Sequence, residues 1–203
     1  MDSFFKESYM KIINIILLSL IIFFASCILG QSDGQAPSAT SSSASYKKIF
    51  VSATSQAGNF CGAALADAFC AVDANLPSGG GTYKALLGET ARMPPSTDWP
   101  LAASTTYVRS DGSTIIGTTT SGAIFTFPLT NAISSSGTSV WVWTGFERDS
   151  WTLNASNTCT DWTSNSGLAL SYMANAIETN FGAITRGTAD YCDQLHKFYC
   201  VEQ

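Results

Sequence analysis

Residues 62–74 read GAALADAFCAVDA, and this stretch decides what kind of domain the chain builds. Leu65, Phe69 and Val72 recur at i, i+4 and i+7, the spacing of one helical face, and Asp67 and Asp73 lie off that stripe. The spacing predicts an amphipathic helix with Cys70 on it. Cys61 stands nine residues before Cys70. Nine helical residues rotate by about 900° and rise by more than ~13 Å, so the two sulfurs point to opposite faces. A disulfide needs Cα atoms within about 7 Å, so these two cannot pair across a helix. Cys70 therefore needs a distant partner, and Cys192 and Cys200 lie at the far end of the chain. Closing so long a loop removes about 4–5 kcal/mol of unfolded-state freedom. Whether two bridges nest or cross is left open by counting alone.

Outward from the helix, the chain reads as short strands joined by Ser/Thr-rich connections. Lys48–Ala53 (KIFVSA) is a strand, Pro77–Gly81 (PSGGG) breaks the chain, and Tyr83–Leu87 (YKALL) resumes apolar character. Asp111-Gly112 marks a hairpin turn between Thr106–Arg109 and Ser113–Gly117. Ser139–Phe146 (SVWVWTGF) is the strongest strand. Val140 and Val142 alternate there with Trp141 and Trp143, so both faces are expected to be covered and both tryptophans to pack in the core. Phe198–Val201 (FYCV) is a terminal strand expected beside the first. One early helix followed by short, mostly antiparallel strands defines an α+β domain.

The sequence has 203 residues, 45% hydrophobic, 12% aromatic and only 12% charged, with a formal charge of −5. So many aromatics exclude a disordered chain. The acidic balance speaks against nucleic acid and polyanionic sugars, which need clustered Lys and Arg. A single histidine, His196, excludes multi-histidine metal sites. No cofactor is expected.

Before the domain, residues 12–24 (IINIILLSLIIFF) form an apolar run that ends in Ala25-Ser26-Cys27. The run is short for a bilayer span and has the make-up of an export signal. Small residues directly before Cys27 resemble the relaxed lipobox of spirochaetal lipoproteins, which implies acylation at Cys27. Residues 1–27 are read as a lipoprotein signal, with translation starting at Met1 or Met10. Residues 28–45 hold no aromatic residue and read as a flexible tether. Residues 46–203 are the domain.

Ala66-Asp67-Ala68-Phe69-Cys70, Gly80-Gly81-Thr82-Tyr83-Lys84-Ala85, Val142-Trp143-Thr144-Gly145, Thr158-Cys159-Thr160-Asp161-Trp162-Thr163 and Phe198-Tyr199-Cys200-Val201 occur in order. They resemble the blocks of an endostatin-like bacterial family of unknown function, found in outer-membrane lipoproteins of Leptospira. The resemblance implies a C-type-lectin-like fold and nested bridges Cys70–Cys200 and Cys159–Cys192. It leaves Cys61 unpaired, as a buried inert thiol or an intermolecular link. It also implies a lipid-anchored adhesin of the bacterial outer membrane. The expected partners are host extracellular-matrix proteins such as laminin, or a complement regulator. Plasminogen ranks lower because the chain ends in Gln203 rather than lysine, and heparin because Arg92, Arg109, Arg148 and Arg186 are scattered.

The segments expected to present contacts are 94–104 and 146–162, with Trp99, Arg148 and Trp151 as candidate ligand-binding residues. The rival readings are a structural envelope lipoprotein without host ligand and a Ca²⁺-dependent sugar lectin, with Glu147, Asp149 and Asp161 as the carboxylates that could gather on one ion. Catalysis is not expected, since no nucleophile has an evident base beside it, and His196 reads as structural.

Overall fold

The computed structural model describes residues 46–148 and 150–203. Its first and last strands, β1 (Lys47–Val51) and β8 (Lys197–Glu202), lie antiparallel, with Ile49 opposite Val201 and Phe50 opposite Cys200. Between them in sequence come helix α1 (Ala63–Ala71), β2 (Tyr83–Ala85), β3 (Thr106–Arg109), β4 (Ile115–Thr118), β5 (Trp141–Trp143), β6 (Leu170–Asn175) and β7 (Thr188–Tyr191). The strands form one sheet in the order β4-β3-β1-β8-β5-β6-β7, with β2 also paired to β8. β5 takes the start of β8's second edge at Lys197–Phe198, and β2 takes its end at Cys200–Glu202.

The architecture is mixed: among the described residues, mostly strands, one main short helix and two disulfides. The expectation of mainly antiparallel pairing needs one adjustment. β1 runs parallel to β3, and β5 runs parallel to β8. Long crossovers bring those strands together, which hairpin signals in the sequence do not reveal.

Alternation along the three central strands, β1, β8 and β5, divides the core. Ile49, Tyr199, Val201 and Val142 face one cluster, with Trp99, Tyr107, Phe125 and Phe146. Phe50, Phe198, Cys200 and Trp143 face the other, with Phe60, Cys70, Cys159 and Trp162. This period of two explains why β8 reads as a continuous apolar run: both of its faces are covered.

Helix α1 departs from the sequence reading in its phase. The side chains it buries are Ala63, Ala66 and Cys70. Leu65, Phe69 and Val72, the expected inner stripe, are 51%, 39% and 81% exposed. Two ties fix the small-residue face inward. Cys70 is bonded to Cys200 with a Cα–Cα separation of 5.6 Å. Asp67, off the stripe, accepts both terminal nitrogens of buried Arg92, at 2.8 and 2.7 Å, and the backbone N–H of Ala85 on β2 at 2.7 Å. Alanines at the contact let the helix sit close enough for both. The helix starts with Glu89 accepting from the N–H of Ala63 at 2.8 Å, so a carboxylate satisfies an orphan donor at its positive end. It ends at Ala71, short of the expected Ala74, because the Asp73 carboxylate turns to the N–H groups of Ala53 and Asn75.

The turn at Asp111-Gly112 joins β3 to β4 as expected, with Gly112 at φ +74° and Asp111 accepting from the backbone and hydroxyls of Ser113 and Thr114. Those hydrogen bonds hold the Asp111 carboxyl well below the usual carboxylate range.

Candidate functional site

The second disulfide joins Cys159 to Cys192, also at a Cα–Cα distance of 5.6 Å. The two bridges are the nested pairs that the resemblance implies. Cys159 begins an unusual turn: Cys159, Thr160, Asp161 and Trp162 all have positive φ, at 52°, 56°, 48° and 60°. L-residues pay roughly 1–2 kcal/mol each in this region, so the surroundings must impose it. Trp162 is fully buried and its indole N–H donates to the carbonyl of Gly88 at 2.9 Å. Asp161 accepts from the backbone and the hydroxyl of Thr90 at 3.2 and 2.8 Å, and its own N–H donates to Thr158. Gly58 makes room: a Cβ there would lie 2.3 Å from the Cys159 sulfur. The motif around Cys159 is thus a knot that fixes the start of the long connections.

Upstream of that turn, residues 146–148 and 150–153 run back against each other, joined by a bridge between Phe146 and Leu153 and by the N–H of Glu147 donating to the carbonyl of Thr152, and are called the hairpin below. Arg148 is exposed at its tip, and Trp151 is half-buried on its return arm. Trp151 meets Trp99 edge-on at 5.9 Å, stacks on Phe127 at 6.4 Å, and donates its indole N–H to Phe125 at 3.3 Å. Phe127 in turn contacts Phe181 at 4.4 Å. An aromatic series therefore runs from the core to the surface beneath this hairpin.

At its outer end lies a cleft of about 250 Å³, lined among others by Arg148, Glu178, Asn180, Phe181 and Arg186. Arg186 Nε is 3.3 Å from Glu178 Oε1, and its guanidinium lies 5.2 Å over the ring of Trp141. Arg148 packs over Gly187, where a Cβ would come within 2.5 Å of its side chain. Two arginines 38 positions apart in sequence thus share one concave surface with aromatic neighbours. Such a surface suits a carboxylate-bearing or planar polar group, which guanidinium recognises through paired donors.

The candidates read from sequence separate accordingly. Trp99 is 6% exposed and packs in the core, with its indole N–H donating to the carbonyl of Ala123 at 2.7 Å. Segment 94–104 turns its large side chains inward with it: Leu101 is buried, and Asp98 bonds Lys84 and Arg92. Trp141, expected in the core, is half-buried under Arg186, whereas Trp143 is fully buried. Arg148 and Trp151 lie together at the hairpin. Sequence reasoning missed Arg186, Glu178 and Phe181, which no local pattern marks.

Of the four arginines, Arg92 is buried and Arg109 donates its Nε to Ala132, so only Arg148 and Arg186 line this cleft. Of the three acidic residues considered for calcium, Asp161 is engaged by Thr90, and Asp149 lies outside the described residues. Among the described residues no group of three or more His, Cys, Asp or Glu side chains is placed to hold a metal. His196 Nε2 is 2.8 Å from Asp190, with its ring edge-on to Trp143 at 4.4 Å. Cys61 is exposed and outside both disulfides, against the buried alternative. Cys27 and the tether lie outside the described residues. Among those described, no helix is long and apolar enough to cross a membrane.

No curated protein matches the chain. The family match extends from just after β1 to just after β6, and so holds α1, the hairpin and Cys70 and Cys159, but not Cys192 or Cys200. By that match, over residues 53–179 and thus more than half its length, the chain belongs to the family described as "Protein of unknown function (DUF1554)".

Proposed function

We propose that residues 46–203 are an endostatin-like domain of C-type-lectin-like fold, carried on an acylated Cys27 at the bacterial outer surface. There it binds a host protein, either of the laminin type in the extracellular matrix or a complement regulator. The ordered sequence blocks support the kinship, and so does a helix clamped by a disulfide to the last strand, with the two terminal strands side by side. The single observation that carries the binding role is the cleft lined by Arg148, Arg186 and Phe181, with Arg186 lying over the ring of Trp141 at its side. Arg and Trp are the residues that dominate protein–protein binding energy, and here they stand on a rigid aromatic base. The arginines fit an acidic side chain of the partner, so an acidic protein surface suits this cleft better than heparin.

Binding of the purified chain to immobilised laminin and to a complement regulator tests the reading. Arg148→Ala with Arg186→Ala should weaken whichever interaction is found by at least about tenfold, since one good charged contact is worth more than ~1.4 kcal/mol. Absence of binding to either at micromolar concentration would reject the adhesin role. Protease treatment of intact cells tests display: protection of the domain in intact cells would place it inside the envelope and exclude host contact.

A further inference from the structure

Arg109 ends β3 and lines a cavity of about 270 Å³ together with Asn75, Ser110, Ile133, Ser134 and Ser135. Its guanidinium is held along one edge, where Nε donates to the carbonyl of Ala132 at 2.8 Å and Nη2 to that of Ser134 at 3.5 Å. The other edge, formed by Nη1 and the remaining proton of Nη2, keeps a pair of parallel donors. Arg109 is half-buried and makes no ion pair among the described residues. Acidic side chains on the neighbouring turns are engaged elsewhere: Asp111 accepts from Ser113 and Thr114, and Asp73 from the N–H groups of Ala53 and Asn75. A partly desolvated cation, fixed in place with no anion beside it, calls for one from outside the chain.

We propose that this cavity binds a small hydroxylated carboxylate, of the class of the sugar acids. The open guanidinium edge takes the carboxylate through paired hydrogen bonds. Ser110, Ser134 and Ser135 bring hydroxyl groups, which both donate and accept. Asn75 gives Nδ2 to the carbonyl of Val51 at 3.0 Å, so its own side-chain oxygen remains an acceptor. A bare carboxylate would leave these groups unused, and a neutral sugar would leave the cation unpaired. Volume limits the ligand further. Sites for drug-sized molecules start at about 300 Å³, so this cavity suits a single ring rather than a chain of them. One charge per ligand also agrees with an acidic protein whose scattered arginines suit no polyanion.

A sugar acid reaches such a site either free or as the terminal residue of a glycan. The recognising chemistry is the same, and the two differ by a glycosidic bond at the anomeric carbon. The cavity shares no lining residue with the cleft of Arg148 and Arg186. No host protein enters this inference, so the two proposals fail separately.

The test uses the full chain in detergent micelles, isotope-labelled at the serine nitrogens and titrated with glucuronate, methyl glucuronide, glucose and acetate. Glucuronate should move the amide signals of Ser110, Ser134 and Ser135 saturably. Its affinity should exceed those of glucose and acetate at least about tenfold, since each of these lacks one half of the recognition. Arg109→Lys should weaken glucuronate binding about tenfold, because an ammonium offers no paired donors. Unmoved signals from the other serines, with mapped Cys70–Cys200 and Cys159–Cys192 peptides, show that the variant folds. Binding of the methyl glucuronide as tight as that of glucuronate identifies the end of a glycan as the source, and its exclusion identifies the free acid. Absence of any saturable shift with glucuronate at millimolar concentration would overturn the proposal. So would equal affinities for glucuronate and either glucose or acetate, or equal glucuronate affinities for the native chain and a folded Arg109→Lys.

Discussion

Asp67 and Arg92 form a two-pronged ion pair, Nη1 to Oδ1 at 2.8 Å and Nη2 to Oδ2 at 2.7 Å, with the guanidinium side chain 1% exposed. Arg92 also bonds Asp98 through Nε, and reaches the carbonyls of Ala63 and Ala85. Every donor direction of a buried cation is thereby occupied, and α1 is bound to β2 through it. Removing Asp67 strips the buried guanidinium of its two-pronged partner and leaves it only Asp98, which is more exposed and shared with Lys84. Asp67→Ala should therefore cost about 3–5 kcal/mol, measured by urea unfolding. Arg92→Lys should recover little, because an ammonium cannot serve a two-pronged carboxylate and Asp98 together. A loss below ~1 kcal/mol for Asp67→Ala would show that the pair does not hold the helix.

The two disulfides should differ in worth by their loop lengths. Cys70 and Cys200 are 130 residues apart, and Cys159 and Cys192 are 33 apart. In the chain-entropy account, replacing the first pair by alanines costs about 5 kcal/mol and the second about 4 kcal/mol. Urea midpoints of the two double variants check the order. Peptide mapping of the oxidised protein checks the pairing itself.

Thr160 is exposed in a β-branched, left-handed conformation, held there by neighbours that are themselves locked. Thr160→Gly should raise stability by about 0.5–1 kcal/mol, the relief of left-handed strain less the added freedom of the unfolded chain. Thermal unfolding of the two proteins measures it. A fall in melting temperature would mean that the turn is not left-handed in solution.

Stability should also respond to acid through Asp98. Burial works against its charge, but hydrogen bonds from Lys84 and Arg92, and the charges behind them, hold its carboxyl below the usual carboxylate range. A lowered value means that the folded state binds the proton less readily than the unfolded one. Its contribution is therefore present above the ordinary carboxylate range and is lost as pH falls through the lowered value. Asp98→Asn should flatten the acid limb of a stability-versus-pH curve and leave its shape above pH ~6 unchanged. An unchanged acid limb would remove Asp98 from the account.

Much of the architecture was legible in the chain because it rests on local patterns. The terminal strand FYCV, the Asp111-Gly112 turn and the buried Trp143 follow from alternation and turn chemistry over a few residues. The exclusion of a Cys61–Cys70 bond followed from helical geometry and agrees with the pairing observed. The phase of α1 did not follow. Periodicity ranks faces by hydrophobicity, whereas the helix is oriented by one disulfide and one ion pair made with residues far along the chain.

By itself, then, the sequence determined a cysteine-bridged domain of strands with one early helix, because those properties depend on composition and short-range spacing. Only the tertiary structure decided which face of that helix meets solvent, that Trp99 belongs to the core, and that Arg148 and Arg186 share a cleft. Those outcomes depend on contacts between segments tens of residues apart. No local pattern encodes such contacts, since their free energy exists only once the sheet has brought the segments together.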